Sequence, residues 1–513
     1  MRDFLVSTRT DPTDERLSVK RLSTLGSCAV SIALVLTMWN MAPTAQASVS
    51  AAQGTAPAQA ATSAGVAQVA AEKKPKRWKA YQGAFFNNPH IPSQRYRIER
   101  RLLDTLRHVP KGETVRIALY SFDRIPVANA IVAAHKRGVR IQMLLNDHWE
   151  NRAMQIVRAA LGTNTRAKNF IYKCKSGCRT LVDQYRNLHS KFYLFPKAGK
   201  SERVIALGSH NFTMNADRHQ WNDIFFFQAK KDLYREFVKT FNDMKKDYSK
   251  TQPSLHFCGT PTGSFCDDSV DKYTNWVFPK KSTPQSDLVL NMLNKIQCLT
   301  PDGAGGQTRT KLALSMHTMR GARGNYLAAA IRQKWAEGCD FRVSYGLIGF
   351  RTKQILGAAT ARGRIPLRST GLDYDPDDDF DLNNDGDDDV ILTYYTHQKY
   401  FVIQGTYNGH PGTSMVLTGS SNWASLGTAQ DEIFFTILGA GNARRYLKNF
   451  NTFWNSGRFS RNAYTTTYTD FRVPTTVRAA DGTTQTVWKT VRRPVTTVEP
   501  DPYQGGGEYW EGD

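Results

Sequence analysis

Between residues 115 and 145 the apolar positions change their period twice. "VRIALYSF" (Val115–Phe122) is a nearly unbroken apolar run, the pattern of a strand covered on both faces. "VANAIVAAHKRG" (Val127–Gly138) spaces its apolar residues at helical intervals and closes on glycine, which predicts a helix and its stop. "VRIQMLL" (Val139–Leu145) reads as a second strand. The order returns two hundred residues on, as "TKLALSM" (Thr310–Met316), "NYLAAAIRQKWAEG" (Asn325–Gly338) and "CDFRVSYGLIG" (Cys339–Gly349). In both helices an isoleucine, Ile131 or Ile331, stands seven residues before the closing Gly138 or Gly338.

The correspondence continues downstream. "NLHSKFYLF" (Asn187–Phe195) and "YTHQKYFVI" (Tyr395–Ile403) each place a His two residues before a Lys at the head of an apolar run. A strand ending in a tight turn follows, "ALGSHN" (Ala206–Asn211) or "LTGSSN" (Leu417–Asn422). Then come another apolar strand, "DIFFF" from Asp223 or "EIFFTI" from Glu432, and a helix rich in Lys, Arg and aromatics. Strand, helix, strand, then three strands and a helix is one α/β unit used twice. The chain is therefore expected to be an α/β protein of two fused, similar α/β/α sandwich repeats, residues 79–250 and 251–460, with one site at their interface.

The two ends read differently. After a charged start no charge appears between Arg21 and Glu72, and within that gap an apolar core, Cys28–Trp39, precedes "PTAQA" with Ala45 and Ala47. The core is short for a membrane span, so residues 1–47 read as a secretory signal peptide and the protein as secreted. Residues 48–78 form an Ala/Ser-rich leader, and residues 461–513, rich in Thr and Val, predict a β-hairpin or two and a loose tail.

Composition adds two constraints. A formal net charge of +23 favours polyanionic partners, so phosphate is the expected ligand chemistry, in nucleic acid or at an anionic membrane. Export leaves six cysteines in an oxidising compartment, and proximity pairs Cys174 with Cys178, Cys258 with Cys266 and Cys298 with Cys339. The C-x3-C spacing has no second Cys or His pair beside it, which argues against zinc.

The repeated residues suit phosphate. On a strand a Lys two residues after a His points to the same side, so imidazole and fixed cation address one point. Glycine and serine in the following turns let backbone approach a ligand, and Ser209, Ser420, Asn211 and Asn422 supply neutral donors. Doubled about a pseudo-two-fold axis, the set offers two His, two Lys and two Asn to one anion, with no metal needed for the charge.

His189, Lys191, Gly208, Ser209 and Asn211 in one copy, and His397, Lys399, Gly419, Ser420 and Asn422 in the other, resemble the phospholipase D superfamily, whose signature is H-x-K-x4-D followed by G-S-x-N. The resemblance covers residues 80 to 458. It implies a ping-pong reaction through a phosphohistidine, with His189 as nucleophile and His397 as general acid and later base. It further implies a carboxylate some ten residues past each Asn that orients a His. Asp223 and Glu432 are the candidates, with Asp431 a close alternative to Glu432. The signature's Asp is missing from both copies, where Pro196 and Gln404 stand.

Trp149, Trp221 and Trp423 lie near the motifs, as candidates to hold a cationic head group or stack on bases. The second copy also carries an acidic insert, residues 373–389, with ten Asp in seventeen residues. Asp381, Asn383, Asp385 and Asp387 there match the front of a calcium loop, although position 12 is Leu392. A structural calcium is expected at that loop, and none in catalysis. The leading functional expectation is a secreted, monomeric phospholipase D acting on phospholipid, dispersed or at a membrane surface, with transfer to alcohols as a side reaction. A metal-independent nuclease acting on nucleic acid and a non-catalytic phosphate-binding protein are the alternatives.

Overall fold

A computed structural model describes residues 78–146, 150–180, 187–258, 273–279, 282–374 and 392–499. The expected signal peptide, most of the leader, Trp149, Cys266 and the residues Asp381, Asn383, Asp385 and Asp387 of the expected calcium loop lie outside them.

The apolar runs build two mixed sheets with the same internal order. The first has seven strands, in the order Gly83–Phe86, Asp223–Gln228, Ser201–Gly208, Phe192–Ala198, Thr114–Leu119, Arg140–Leu145 and Phe170–Lys173. The second has 11. Its main path runs Leu255–Cys258, Tyr273–Val277, Ile433–Leu438, His410–Gly419, Lys399–Tyr407, Lys311–Arg320, Asp340–Ile348, Leu367–Ser369 and Arg461–Asn462. In each sheet the first predicted strand is parallel to the second, through a helical crossover, and antiparallel to the His-x-Lys strand. The crossover helices stop where glycine was read as the stop. Gly138 and Gly338 take φ of +87° and +109°, left-handed backbone that a side chain would strain.

Side-chain alternation explains why the strand "DIFFF" is apolar throughout. Ile224 and Phe226 enter a core with the outer helices of the first repeat, while Phe225 and Phe227 point to the opposite face. On that face they join a central core with Phe435, Ile433 and Ile437 of the second repeat, and Phe227 stacks on Phe435 at 5.2 Å. The helices Lys231–Met244 and Ala440–Trp454 fill this layer with Phe237, Phe241, Tyr446, Phe450 and Phe453. A third core lies on the outer face of the second sheet. Each buried phenylalanine contributes about 2 kcal/mol, so the shared layer binds the repeats into one body.

The disulfides Cys174–Cys178 and Cys298–Cys339 are present. Residues Tyr464–Arg478 and Thr484–Val498 pair antiparallel over their whole length as a separate two-stranded ribbon.

Candidate active site

Both His-x-Lys segments begin at the seam between the repeats. There Gln220–Trp221 runs parallel to Tyr395–Thr396, and Leu188 bridges to Asp431. The His189 N–H donates to the Asp431 carbonyl at 3.0 Å, and the His397 N–H to the Trp221 carbonyl at 2.9 Å. The rings cross over as well. His189 Nδ1 lies 2.8 Å from Glu432 Oε1, and His397 Nδ1 lies 2.9 Å from Asn222 Oδ1. Each histidine is thus held, backbone and ring, by the other repeat.

The turn serines complete the locks instead of facing a ligand. Ser420 donates to Glu432 Oε2 at 2.5 Å, and Ser209 to Asn222 Oδ1 at 2.8 Å. Each serine oxygen in turn accepts a backbone N–H, from Ile433 at 2.9 Å or Asp223 at 3.0 Å. Those two bonds define the structural equivalence of the copies. Ile433 follows Ser420 by 13 residues, whereas Asp223 follows Ser209 by 14. The counterpart of Glu432 is therefore Asn222, and Asp223 matches Ile433.

This corrects the assignment of Asp223 as the carboxylate that orients a histidine. Its carboxylate accepts from Thr418 Oγ1 at 2.7 Å and Tyr446 Oη at 3.1 Å. Burial pushes its pKa up, against the pull of those hydroxyls, Ser209 and the Lys399 charge. Asp431, the alternative to Glu432, is also turned elsewhere. Its carboxylate accepts the Arg179 N–H at 2.9 Å, beside the Cys174–Cys178 disulfide. Burial raises its pKa to about 7 although the backbone N–H and the charge of Arg179 and the backbone N–H of Cys178 oppose it.

The hydrogen bonds fix the tautomers. Asn222 Nδ2 donates to the Ala216 carbonyl at 3.0 Å and to Gln220 Oε1 at 3.2 Å, so Oδ1 is the atom that faces His397. His397 Nδ1 carries the proton, and Nε2 is where a proton is gained or lost. Glu432 fixes His189 in the same sense, placing the proton on Nδ1 and the lone pair on Nε2. His189, Lys191, Asn211, His397, Lys399 and Asn422 are all buried. Lys191 Nζ donates to the His189 carbonyl at 2.9 Å and lies 5.1 Å from the Tyr120 ring centre. Asn211 Oδ1 accepts the Ser121 N–H at 3.3 Å.

Three neighbours escaped the sequence reading: Asn222, Tyr120 and His317. Tyr120 meets His189 edge-on at 5.0 Å, and His317 meets His397 edge-on at 4.8 Å. They are equivalent positions. Phe192 and Tyr400, each just after its Lys, pair with Ala118 and Ser315, and Tyr120 and His317 lie two residues beyond those partners. Aligning the two copies by register would have exposed His317, which stands one residue past the apolar run used to recognise its strand. The His317 Nδ1–H donates to the Thr396 carbonyl at 3.0 Å and so braces the residue before His397.

An arginine side chain braces the second G-S-x-N turn, and an arginine backbone N–H lies just past the first. Arg323 donates to Asp287 Oδ2 and to the Asn422 carbonyl, both at 2.7 Å. Arg124 binds Glu99 at 2.7 Å, and its N–H reaches the Phe212 carbonyl. Trp221 and Trp423 do not face the site. Both are 1% exposed and pack on Phe453 and Phe401 as core residues. Among the described residues no group of three His, Cys, Asp or Glu is arranged to hold a metal ion. The seam thus combines two imidazoles with fixed tautomers, one backed by a carboxylate and one by an amide, and two lysines.

Residues 106–245 match the family model described as cardiolipin synthase, PLD-like domain. No curated protein matches the chain. Among solved structures, phosphatidylserine synthase from Haemophilus influenzae aligns over 75% of this chain and 89% of its own, with 10% identity and a TM-score of 0.45. Polyphosphate kinase from Porphyromonas gingivalis aligns over 73% of this chain, with 12% identity and a TM-score of 0.45, and this chain spans 50% of its length. Nuc from Salmonella typhimurium aligns over 32% of this chain and 95% of its own, with 17% identity and a TM-score of 0.23.

Proposed function

We propose that the chain, whose residues 106–245 match a PLD-like domain model, is a phosphodiesterase of the phospholipase D superfamily, and that it cleaves the distal phosphodiester of a phospholipid through a phosphohistidine on His189. The observation that carries the assignment of roles is the unequal backing of the two imidazoles, Glu432 behind His189 and Asn222 behind His397. A phosphorylated imidazole is cationic, so it belongs beside the carboxylate. A general acid must give its proton up, which a neutral amide behind it permits.

In the first step His189 Nε2 forms a bond to phosphorus while the bond to the leaving alcohol breaks. His397 Nε2 hands its proton to the departing oxygen. In the second, His397 takes a proton from water, the water oxygen bonds to phosphorus, and the His189–phosphorus bond breaks. An alcohol in place of water gives transfer instead of hydrolysis. Lys191, Lys399, Asn211 and Asn422 neutralise and hold the non-bridging oxygens. These charges serve in place of a metal.

The match of the first repeat to a cardiolipin synthase-type domain supports phospholipid as the substrate class. Two disulfides favour an oxidising compartment and hence export. The net charge of +23 supports a second reading, cleavage of nucleic acid by the same residues. The test offers phosphatidylcholine vesicles and supercoiled DNA in parallel, in excess EDTA. Head-group release with intact DNA is expected. Nicked DNA with untouched lipid moves the protein to the nuclease reading, and a requirement for added metal removes the lysine-based mechanism.

A further inference from the structure

The ribbon Tyr464–Arg478 with Thr484–Val498 pairs in register across fifteen residues, which at about 3.4 Å per residue makes it roughly 50 Å long. It joins neither large sheet. A two-stranded ribbon is marginal in water unless one face is covered. Its two faces follow from the register, because residues paired across the ribbon share a side.

One face carries Phe471 opposite Val491, Val473 opposite Lys489, Thr475 opposite Val487, Val477 opposite Gln485, Thr469 opposite Arg493 and Thr467 opposite Val495. This is an aliphatic stripe with two cations along its length; an acid, Glu499, stands just past the end of the ribbon and accepts from Thr465 Oγ1. Phe471, Val477, Val487 and Val495 are about 40% exposed. The other face adds Trp488, 58% exposed, and Tyr468, with Arg472, Arg478 and Arg492; its one acid, Asp470, lies opposite Arg492.

We infer that the Phe471–Val491 face docks on an anionic phospholipid surface. The valines and Phe471 enter the boundary between head groups and acyl chains, while Lys489 and Arg493 meet lipid phosphates. Charge decides between this occupant and its rivals. A second copy laid on the same face would bring the central Lys489 and Arg493 of both chains together, while Glu499 stands at the ribbon's end and is engaged by Thr465. Nucleic acid would satisfy the cations, but would leave the aliphatic stripe in water. Only a surface with anionic heads above an apolar interior meets both features of this face. The inference concerns docking and does not rest on lipid being the substrate.

The test is sedimentation of the full chain, carrying His189→Ala so that no substrate is consumed, with vesicles of phosphatidylcholine alone or mixed with phosphatidylglycerol. Binding to the mixed vesicles, weakened by salt, is expected. The double variant Lys489→Ala/Arg493→Ala should bind about thirty-fold more weakly. Phe471→Ser/Val487→Ser should also lose binding, while its unfolding temperature and, on the His189 background, its hydrolysis of a water-soluble phosphodiester stay unchanged. Equal binding to both vesicles, or variants that bind as the parent does, overturns the proposal. So does a parent that ignores vesicles but binds single-stranded DNA, or one that forms a dimer lost in the Phe471→Ser/Val487→Ser variant. Vesicle cleavage plays no part in the readout, so docking and the substrate assignment fail separately.

Discussion

Replacing Glu432 with Gln tests the division of labour between the two histidines. The change keeps the shape of the side chain and removes one charge from a pair in which both partners are at most 1% exposed. His189 Nδ1 and Glu432 Oε1 are 2.8 Å apart, which puts the charge centres about 4 Å apart once the phosphorylated ring is cationic. At an effective dielectric near 20 that attraction is worth about 4 kcal/mol, or roughly a thousand-fold in rate. Glu432→Gln should therefore lower kcat about a thousand-fold with KM changed only a few-fold, since the carboxylate backs the ring and does not touch substrate. Rapid-quench measurement of acid-labile phosphate bound to the protein reads the step directly. The covalent species should form slowly and never accumulate. A variant that keeps kcat within about ten-fold would falsify the claim that the carboxylate stabilises a cationic intermediate on His189, and the roles of the two histidines would have to be reassigned.

Three further outcomes follow from the same geometry. Glu432→Gln combined with Asn222→Asp exchanges the backing groups, so any residual phosphohistidine should be found on His397 by peptide mapping; its persistence on His189 would show that position, not backing charge, selects the nucleophile. His317→Phe keeps a ring against His397 but deletes the bond to the Thr396 carbonyl, and a lost bond of about 1 kcal/mol should lower kcat roughly five-fold; unchanged kcat removes His317 from the site. Asp431 is buried with its pKa raised to about 7, above the unfolded value, so its contribution to stability is complete below about pH 4 and is lost as pH rises through 7. Unfolding temperature should fall between pH 5 and pH 8, and Asp431→Asn should flatten that slope.

The repeat was legible because a fully buried strand must be apolar on both faces, and such runs recur in the same order in this chain. Phe225 to Phe227 looked like core and are core, split between two layers that no single-strand pattern could distinguish. The His, Lys and Asn of each motif were equally plain, since their spacing is set by strand and turn geometry. What the sequence hid is the residue behind each histidine. The approach to the final strand is one residue longer in the first copy, so matching the strings DIFFF and EIFFTI end to end lands on Asp223 when the fold presents Asn222. An acid column in two aligned strings, Asp223 over Glu432, suggested equivalence where the hydrogen bonds deny it. The tryptophans misled for a different reason. Lying near a motif in sequence does not settle which side of the sheet a ring takes, and Trp221 and Trp423 took the core side.

The crossed locks at the seam carry a consequence for how such a site can specialise. Two identical subunits meeting at a true dyad must place the same side chain behind both histidines, so whatever suits the attacking ring is imposed on the proton donor. A single chain holding both copies is free of that obligation. Here the dyad survives in the backbone and the turn serines, but not in the groups behind the two rings, Glu432 for His189 and Asn222 for His397. On the proposed mechanism, that difference gives two otherwise interchangeable imidazoles a sequence of events with a direction.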